Sequence, residues 1–430
     1  MNASRKLLTL TPLCALLAAG SAYATNGYFP HGYGMKSDGM GGAATALAQD
    51  SYGGANNPAS MVWAGSRVDV GGTWFKPVRD AERTGSAIPT LNGKVNSGRE
   101  DFLVPEFGYN SMINKDLSVG VSVYGNGGMN TSYPQGSFNC GGGGANILCG
   151  SGTLGVNLIQ LIVAPTVAYK LNAQNSVGAS VLLGYQRFAV QGIQSFDNAP
   201  GFPPFTGAKG SVTNNGDDSA TGAGVRVGYQ GHLSDAFSVG ASYSTKVSMS
   251  KFDKYKGLFA GSGGFDIPSN YSVGLAFMPN AQWTVALDYG RINYSAVAAV
   301  GNQSMPVAPL GAANGPGFGW KGINVLKLGL AWAMNPDLTL RVGYNKGDNP
   351  ITASNVTFNI LAPGVITTHY TAGFTYALAK DSEISAALMV APRVTVTGPS
   401  LFNGFMGGAA GNETIGMRQS SLGLAYSRKF

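Results

Sequence analysis

The residues that could do chemistry are few and scattered in this chain. The 430 residues include 3 histidines, and His31, His232 and His369 lie far apart without a Ser-Asp pairing at a plausible spacing. The glycine-rich stretch 222–224 lies in a predicted strand with no helix after it, which excludes a nucleotide-binding loop. No Gly-x-Ser-x-Gly sequence stands between a strand and a helix. We therefore predict no catalytic residues, no enzyme activity and no cofactor.

The start of the chain has the pattern of an export signal. Arg5 and Lys6 precede an apolar stretch over residues 7–20, and a small-x-small cleavage site follows at 22–24. The alternative is a short buried helix. We expect the mature chain to begin near Thr25.

The cysteines have a structural role in this interpretation. Cys14 would be lost with the signal, which leaves Cys140 and Cys149. Two close cysteines in an exported chain favour one local disulfide. A metal site would need more ligands, and the histidines are distant in sequence. We predict a Cys140–Cys149 disulfide that fixes a loop, and no metal site.

The composition restricts the fold class. Charged residues make up 11% of the chain and glycines number 64, whereas ordinary domains are about a quarter charged and about 7% glycine. Beyond the N-terminal segment no run of 18 apolar residues occurs, so spanning helices are excluded. The 19 Tyr, 20 Phe and 5 Trp are too many for a disordered chain. At a mean hydropathy of +0.04, a β protein with two unlike faces fits best.

Alternation of side chains along the sequence provides those two faces. In 326–332, 338–344, 370–376 and 237–243, large apolar residues alternate with small or polar ones. A soluble sandwich would carry charges on its second face. Here that face is mostly Gly, Ser, Thr and Ala, which suits a crowded barrel interior.

The same pattern repeats along the chain and predicts about fourteen strands. They begin near Val68, Phe102, Leu117, Leu158, Ser176, Thr221, Phe237, Asn270, Trp283, Asn324, Leu338, His369, Glu383 and Gln419. Tight turns alternate with long connections roughly at 77–101, 126–157, 192–219, 250–268, 294–323, 347–367 and 397–418. Outer-membrane barrels have short periplasmic turns, long external loops and an even number of strands. We predict an all-β fold, a transmembrane antiparallel β-barrel.

The segment before the first strand does not alternate. It contains Tyr28, Phe29, Met35, Met40 and Leu47, and this apolar content argues against the alternative of a disordered periplasmic tail. We predict that it folds into the lumen as a plug, or hatch. The predicted division of the chain is a signal peptide at 1–24, a hatch at 25–66 and a barrel at 67–430.

At these residues the chain resembles a known family, the FadL/TodX outer-membrane transporters of long-chain fatty acids and aromatic hydrocarbons. Asn57-Pro58-Ala59 matches the Asn-Pro-Ala of the family's hatch, and the glycine-rich stretch 39–43 fits the same hatch. The terminal Phe430, on an alternating apolar face, resembles the signal read by the barrel assembly machinery. The resemblance implies a monomeric barrel in the bacterial outer membrane.

The resemblance also implies a route for a hydrophobic substrate, which begins in a groove between external loops. The third and fourth long loops supply the candidates Phe196, Phe202, Phe205, Phe252, Tyr255, Leu258 and Phe259. Exposed apolar clusters usually mark binding surfaces. The alternative is packing of loop on loop that merely caps the barrel.

The implied exit is a lateral gap at a kink in strand three. Gly125, Gly127 and Gly128 lie where that strand would kink, and glycine within a strand marks a bulge or bend. The alternative is that the strand ends at Tyr124 and a loop begins.

Charged residues are expected inside the barrel, because charges facing lipid are costly. If the large apolar side chains face lipid, the inward charges are Arg226, Lys246, Lys327, Arg341, Arg393, Asp69, Glu106 and Asp288. The predicted lumen pocket combines Phe29, Met35, Met40, Arg226, Lys246, Lys327 and Arg341. The basic surplus would tolerate an anionic head group. The alternative is that these charges pair with each other and with the hatch.

Together these features predict passive uptake of small hydrophobic molecules, either long-chain fatty acids or aromatic hydrocarbons. A general porin for hydrophilic solutes and a surface adhesin or structural barrel remain as alternatives. The formal charge of +7 includes two residues of the signal, so the mature chain carries +5 (7 − 2), and it is dispersed. We therefore expect outer-membrane lipid and lipopolysaccharide around the barrel, and no nucleic-acid partner.

Overall fold

The computed structural model describes residues 26–136, 138–140, 143–305 and 308–430. The predicted signal peptide at 1–24, with Cys14 and the cleavage site before Thr25, lies outside the described residues. Within the part that is described, no helix has the length and apolar character that crossing a membrane requires.

A closed antiparallel barrel of fourteen long strands dominates the described residues, which confirms the predicted fold class. The barrel strands are β1 (Arg67–Thr84), β3 (Phe102–Met112), β4 (Leu117–Tyr133), β7 (Leu154–Lys170), β8 (Asn175–Gln191), β9 (Asp218–His232), β10 (Phe237–Ser244), β12 (Asn270–Asn280), β13 (Trp283–Ile292), β14 (Ile323–Ala333), β15 (Leu338–Gly347), β16 (Thr368–Ala379), β17 (Ser382–Pro399) and β18 (Asn412–Lys429). Each pairs with its neighbour in sequence, and β18 pairs with β1 to close the wall.

The connections contain short elements. Four short strands are β2 (Gly93–Asn96), β5 (Phe138–Asn139), β6 (Gly144–Ala145) and β11 (Ser248–Met249). The α-helical turns are α1 (Met35–Asp38), α2 (Met61–Ala64), α3 (Ala260–Gly263), α4 (Ala298–Gly301) and α5 (Val356–Asn359). The 3-10 turns are Pro58–Ser60, Pro89–Leu91, Gln194–Phe196, Asp253–Tyr255, Tyr294–Ala296, Ala353–Asn355 and Leu401–Gly404.

Most strands begin within one residue of the predicted position. Three begin several residues earlier than predicted, at Leu154, Asp218 and Asn412. The alternation arises from contact with lipid on one face. Where a strand extends beyond the hydrocarbon layer, its outer face no longer needs large apolar residues. The alternation in the sequence therefore covers only part of the strand, and these three strands begin before the alternation does.

The inner face of the barrel has room for residues 26–66, which precede β1 and fill the lumen as a hatch. Large outer side chains such as Leu328 and Val342 are exposed, as the alternation predicts. Small inner residues face the hatch instead. A Cβ atom added to Gly329 would lie 2.6 Å from Met40 Cβ, and one added to Gly343 would lie 2.0 Å from Gly41 N.

Two of the predicted inward charges point outward, so these predictions were wrong. Lys246 lies past the end of β10, is exposed, and pairs with Asp266 at 2.6 Å. It therefore does not belong to a lumen pocket. Arg393 is exposed because the register of β17 against β18 shifts between Ala391 and Val394. An extra residue in a strand reverses the alternation of side chains beyond it.

Candidate functional site

The Asn57-Pro58-Ala59 motif fixes the hatch to the wall. The Asn57 side chain accepts a hydrogen bond from Ala59 N (3.1 Å), which caps the 3-10 turn that Pro58 opens. Its Nδ2 donates to Thr45 O at 2.8 Å and to Tyr229 O of β9 at 2.9 Å. One fully buried amide thus joins two parts of the hatch to a barrel strand, and loss of a buried partner of this kind costs about 1–3 kcal/mol.

Two wall glycines allow this close approach. A Cβ atom on Gly178 of β8 would lie 2.4 Å from Pro58 C, and one on Gly228 of β9 would lie 2.0 Å from Asn57 Oδ1. A larger residue at either position would push the motif away from the wall. The motif is visible in the sequence, but these partner glycines do not stand out there, because many inner-face positions are glycine.

A buried charge network, which we call the latch, joins the hatch to β1 and β17. Lys36 Nζ lies 2.6 Å from Glu383 Oε1, and Arg67 Nη2 lies 2.9 Å from the same oxygen. Arg67 also pairs with Asp69 at 2.7 Å, and the hatch residue Ser51 donates to Asp69. Asp69 faces inward as predicted. Lys36, Arg67 and the ion-pairing role of Glu383 were missed, since Glu383 is distant in sequence from both basic residues.

The other inward charges mostly bind the hatch backbone. Arg226 donates to Gly54 O (2.8 Å) and to Ala55 O, and Lys327 donates to Gly42 O at 3.2 Å. Acidic wall residues accept from the hatch in the same way: Asp288 accepts from Ala44 N and Thr45 N, and Glu106 accepts from Gly34 N. These contacts match the alternative in which the charges hold the hatch in place.

The predicted lumen pocket is only partly assembled. Phe29, Arg226 and Lys327 line a pocket of about 80 Å³ between hatch and wall. Met35 instead packs with Ala387 and Ala425, and Met40 packs in a separate cluster. Arg341 donates to Thr375 Oγ1 at 2.7 Å and lines a different pocket.

A histidine and an aspartate of the hatch are buried side by side. His31 Nε2 lies 3.6 Å from Asp38 Oδ1, and the His31 ring stacks on His369 of β16 with centroids 5.7 Å apart. Burial, assisted by the charge of Lys327, lowers the pKa of His31 to about 4. Burial raises the pKa of Asp38 to about 7. Between these values the hatch holds a neutral imidazole beside a protonated carboxyl.

The two shifts predict opposite pH dependences in two single variants. Asp38→Asn removes a carboxyl that takes up a proton on folding between about pH 4 and 7. Its stability relative to wild type should therefore fall as the pH drops from about 7 to 4, by roughly 4 kcal/mol at 1.36 kcal/mol per pKa unit. His31→Gln removes an imidazole that loses its proton on folding between about pH 4 and 6.5, so its stability relative to wild type should fall as the pH rises through that range. Thermal unfolding across pH measures both, relative to wild type. Equal slopes in the two variants would contradict this account.

The apolar loop residues enclose a cavity, which we call the loop cavity. Among the described residues that line it, none has a charged or polar side chain. They are Leu148, Val156, Phe188, Val190, Ile193, Phe196, Leu258, Phe259, Ala299, Leu310, Pro316, Gly317, Phe318, Phe358 and Leu361. The cavity volume is about 40 Å³, where a water needs roughly 10–15 Å³, so an entering molecule has to displace side chains.

The sequence predicted an open groove between the loops, whereas the structure has an enclosed cavity. Phe196, Leu258 and Phe259 line the cavity, but the loop side chains pack against one another and are largely buried. Phe252 and Tyr255 pack behind the cavity, each against Phe188, with ring centroids 5.4 and 4.8 Å away.

Other loop residues form the surroundings of the cavity. Phe205 packs between Phe196 and Phe405, and Phe202 is half-buried. The expectation of an exposed groove was wrong, because burial of these aromatic faces in loop–loop contacts removes them from water. The Cys140–Cys149 disulfide is present, one residue from the cavity-lining Leu148.

Strand β4 continues as a strand to Tyr133, so the alternative of an end at Tyr124 was wrong. Its register against β7 shifts between Gly125 and Gly127, where Asn126 is the extra residue. All residues from 122 to 131 are buried, so both faces of this part of the strand are covered. The hatch reaches this bulge through Tyr33, whose hydroxyl lies 3.4 Å from Asn126 Oδ1.

The backbone pairing of β4 with β3 ends beside this part of β4, and we call the unpaired stretch the lateral gap. Pairing of β3 with β4 runs from Met112↔Ser118 to Phe107↔Val123, and in the described residues no further pairing joins these strands. Residues 124–133 of β4 keep their pairing with β7 on the other side. At the top, Gly98 N donates to Ser132 O at 2.8 Å and bounds the gap.

Another pocket, the gap pocket, lies beside residues 128–131 of β4. It is lined by Gly27, Tyr28, Arg79, Gly128, Met129, Asn130, Thr131, Trp320, Ala362, Pro363, Gly364 and Met417. Leu361 of the loop cavity precedes Ala362 of the gap pocket, and Thr131 Oγ1 donates to Leu361 O at 2.9 Å. The two spaces are therefore neighbours.

In the described residues, no group of three or more His, Cys, Asp or Glu is arranged to hold a metal ion.

Comparison with known proteins adds a family and a fold. Residues 14–397 match the family model described as outer membrane protein transport protein (OMPP1/FadL/TodX). The toluene transporter TodX of Pseudomonas putida has a similar structure (TM-score 0.70, 22% identity, 94% of this chain and 100% of that chain covered). So do the toluene transporter TbuX of Ralstonia pickettii (0.63, 19%, 93% and 99%) and a FadL homologue of Pseudomonas aeruginosa (0.67, 15%, 94% and 100%). A comparison with curated protein sequences finds no match.

Proposed function

Because the chain belongs to the OMPP1/FadL/TodX family of outer-membrane transport proteins, we propose that it carries small, uncharged hydrophobic molecules passively across the outer membrane. The observation that carries this proposal is the loop cavity, whose lining is entirely apolar. TodX and TbuX, which share the fold, are described as toluene transporters. Aromatic hydrocarbons are therefore the substrate class that we favour.

Long-chain fatty acids fit this chain less well. A carboxylate bound in the loop cavity would need a cation there, but no described lining residue is charged, and the inward Arg226 and Lys327 already donate to hatch carbonyls. A charged head group without a partner is strongly disfavoured in an apolar site. An uncharged hydrocarbon needs no such partner.

The proposed route starts at the loop cavity, continues to the gap pocket, and ends at the lateral gap between β3 and β4. This order is supported by the shared boundary at Leu361 and Ala362 and by the position of Gly128 in the gap pocket. A lateral exit keeps an apolar solute out of periplasmic water, which is unfavourable by roughly 25 cal/mol per Å² of apolar surface. We infer that uptake runs downhill along the concentration gradient.

Filling the loop cavity should stop transport. Ala299 lines the cavity, whereas its neighbour Ala298 in α4 is exposed, so the two positions form a matched pair. We expect Ala299→Phe to lower uptake of labelled toluene by tenfold or more, and Ala298→Phe to leave it unchanged. The measurement is initial uptake by cells that lack the chromosomal gene and express each variant.

Three outcomes would count against the proposal. Normal toluene uptake in a folded Ala299→Phe variant would exclude the cavity from the route. Wild-type protein that takes up a long-chain fatty acid as fast as toluene would contradict an uncharged substrate class. A steady, large ion current in planar bilayers would favour a general porin instead.

A further inference from the structure

An arginine side chain occupies the lateral gap. Arg79 of β1 is 3% exposed, and its guanidinium donates to Asn130 O of β4 and to Arg99 O. Its Cζ lies 5.7 Å from the centroid of the Phe102 ring, at the start of β3. The guanidinium therefore spans the region where β3 and β4 have no backbone hydrogen bonds to each other.

Arg79 differs from a second buried arginine on the same face of β1. Arg83 is fully buried and pairs with Glu413, which is also fully buried, so its charge is neutralised. None of the ion pairs among the described residues includes Arg79. Both of the hydrogen bonds described for its guanidinium go to neutral carbonyl oxygens. Since a buried charge without an opposite charge is unfavourable, this contact is weaker than a buried ion pair.

Arg79 also faces the space from which a substrate would leave. It lines the gap pocket together with Tyr28, Gly128 and Trp320. Five residues earlier on β1, Trp74 is exposed on the outer face and donates to Asp101, as in the aromatic girdle at a membrane interface. Arg79 thus lies at or above the polar interface, where a long arginine side chain can place its charge in water or near lipid phosphates.

We propose that the Arg79 side chain closes the lateral gap between β3 and β4, and we call this closing contact the bolt. A molecule in the gap pocket leaves when the guanidinium turns outward to the interface. This inference rests on the proposed function, because it assigns the gap as the exit. It names a residue that controls the exit step rather than the affinity of the loop cavity.

The bolt predicts a change in access that can be measured without transport. Met129 is buried in the gap pocket, and Met129→Cys places a thiol there, while Cys140 and Cys149 are paired and do not react. In the folded barrel, we expect a bilayer-soluble maleimide to label this thiol at least tenfold faster when Arg79→Met is present. Arg79→Lys, which retains the charge but not the fork of two donors, should be intermediate.

A matched control removes a different arginine. Arg418 of β18 pairs in register with Val78, beside Arg79, and is exposed on the outer face. Arg418→Met should label at the wild-type rate. Folding of every variant is checked by the heat-dependent gel mobility of the barrel. If Arg79→Met does not fold, the Arg79→Lys comparison provides the same test.

Uptake measured on the same variants separates the two proposals. Faster labelling with faster toluene uptake in Arg79→Met supports both the bolt and the exit. Faster labelling with unchanged uptake supports the bolt and contradicts the lateral exit. Labelling at the wild-type rate in folded Arg79→Met and Arg79→Lys barrels would overturn the bolt, whatever the uptake.

Discussion

Gly127→Val is expected to abolish uptake in a barrel that still folds. Gly127 lies in the bulge of β4, and a Cβ atom there would lie 2.2 Å from Tyr28 O and 2.9 Å from the Tyr28 ring. Tyr28 cannot move freely, because its backbone N–H donates to Tyr294 Oη and its ring packs on Trp320. The new side chain must therefore displace either the hatch or the strand at the gap pocket.

The expected loss is at least tenfold in the initial rate of toluene uptake, with folding confirmed by heat-dependent gel mobility. Gly72→Val on β1 is the control. A Cβ atom at Gly72 meets its nearest heavy atom at 3.7 Å, an ordinary contact, so uptake should be normal. Wild-type uptake by Gly127→Val would show that the bulge and Tyr28 do not lie on the route.

The barrel was predictable because lipid contact acts on every second residue. Leu326, Leu328 and Tyr370 are exposed in the structure, as their alternation indicates. The prediction of side-chain direction failed where a strand contains a bulge or ends. The bulge before Val394 reversed the side-chain direction at Arg393, and a strand end placed Lys246 outside the lumen.

The site was less predictable, because it is made by contacts between distant parts of the chain. The motif Asn57-Pro58-Ala59 is visible in the sequence, but its partners on β8 and β9 are ordinary inner-face glycines. The loop phenylalanines were correctly identified as apolar clusters. Whether such clusters face water or one another depends on how the loops pack, and a single sequence carries no signal for that.

The latch is the clearest case of this limit. Lys36 and Glu383 are separated by 347 residues, and Glu383 comes into position only because β17 and β18 close the wall next to β1. Barrel closure therefore creates the ion pairs. The hatch cannot be fully held before the last strands have paired.

The latch gives the second prediction with a large expected effect. Glu383→Gln removes the shared anionic partner of Lys36 and Arg67, whose side chains are 11% and 3% exposed. Arg67 keeps Asp69, but the buried Lys36 loses its anionic partner, which is unfavourable by on the order of 3 kcal/mol and corresponds to roughly a hundredfold rise in hatch release. We expect frequent ion-conducting openings of Glu383→Gln in planar bilayers, where the wild type stays closed.

The double variant tests whether the ion pairs, rather than the loss of one side chain, hold the hatch. Lys36→Met alone leaves Glu383 paired with Arg67, so we expect few openings. In Lys36→Met with Glu383→Gln, Arg67 keeps Asp69 at 2.7 Å and the unpaired lysine is gone. Openings should then be rarer than in Glu383→Gln alone, a coupling between residues in contact that independent sites would not give. Equal opening in the single and double variants would mean that the loss of Glu383 acts through its own packing, and the latch would then not be the element that holds the hatch closed.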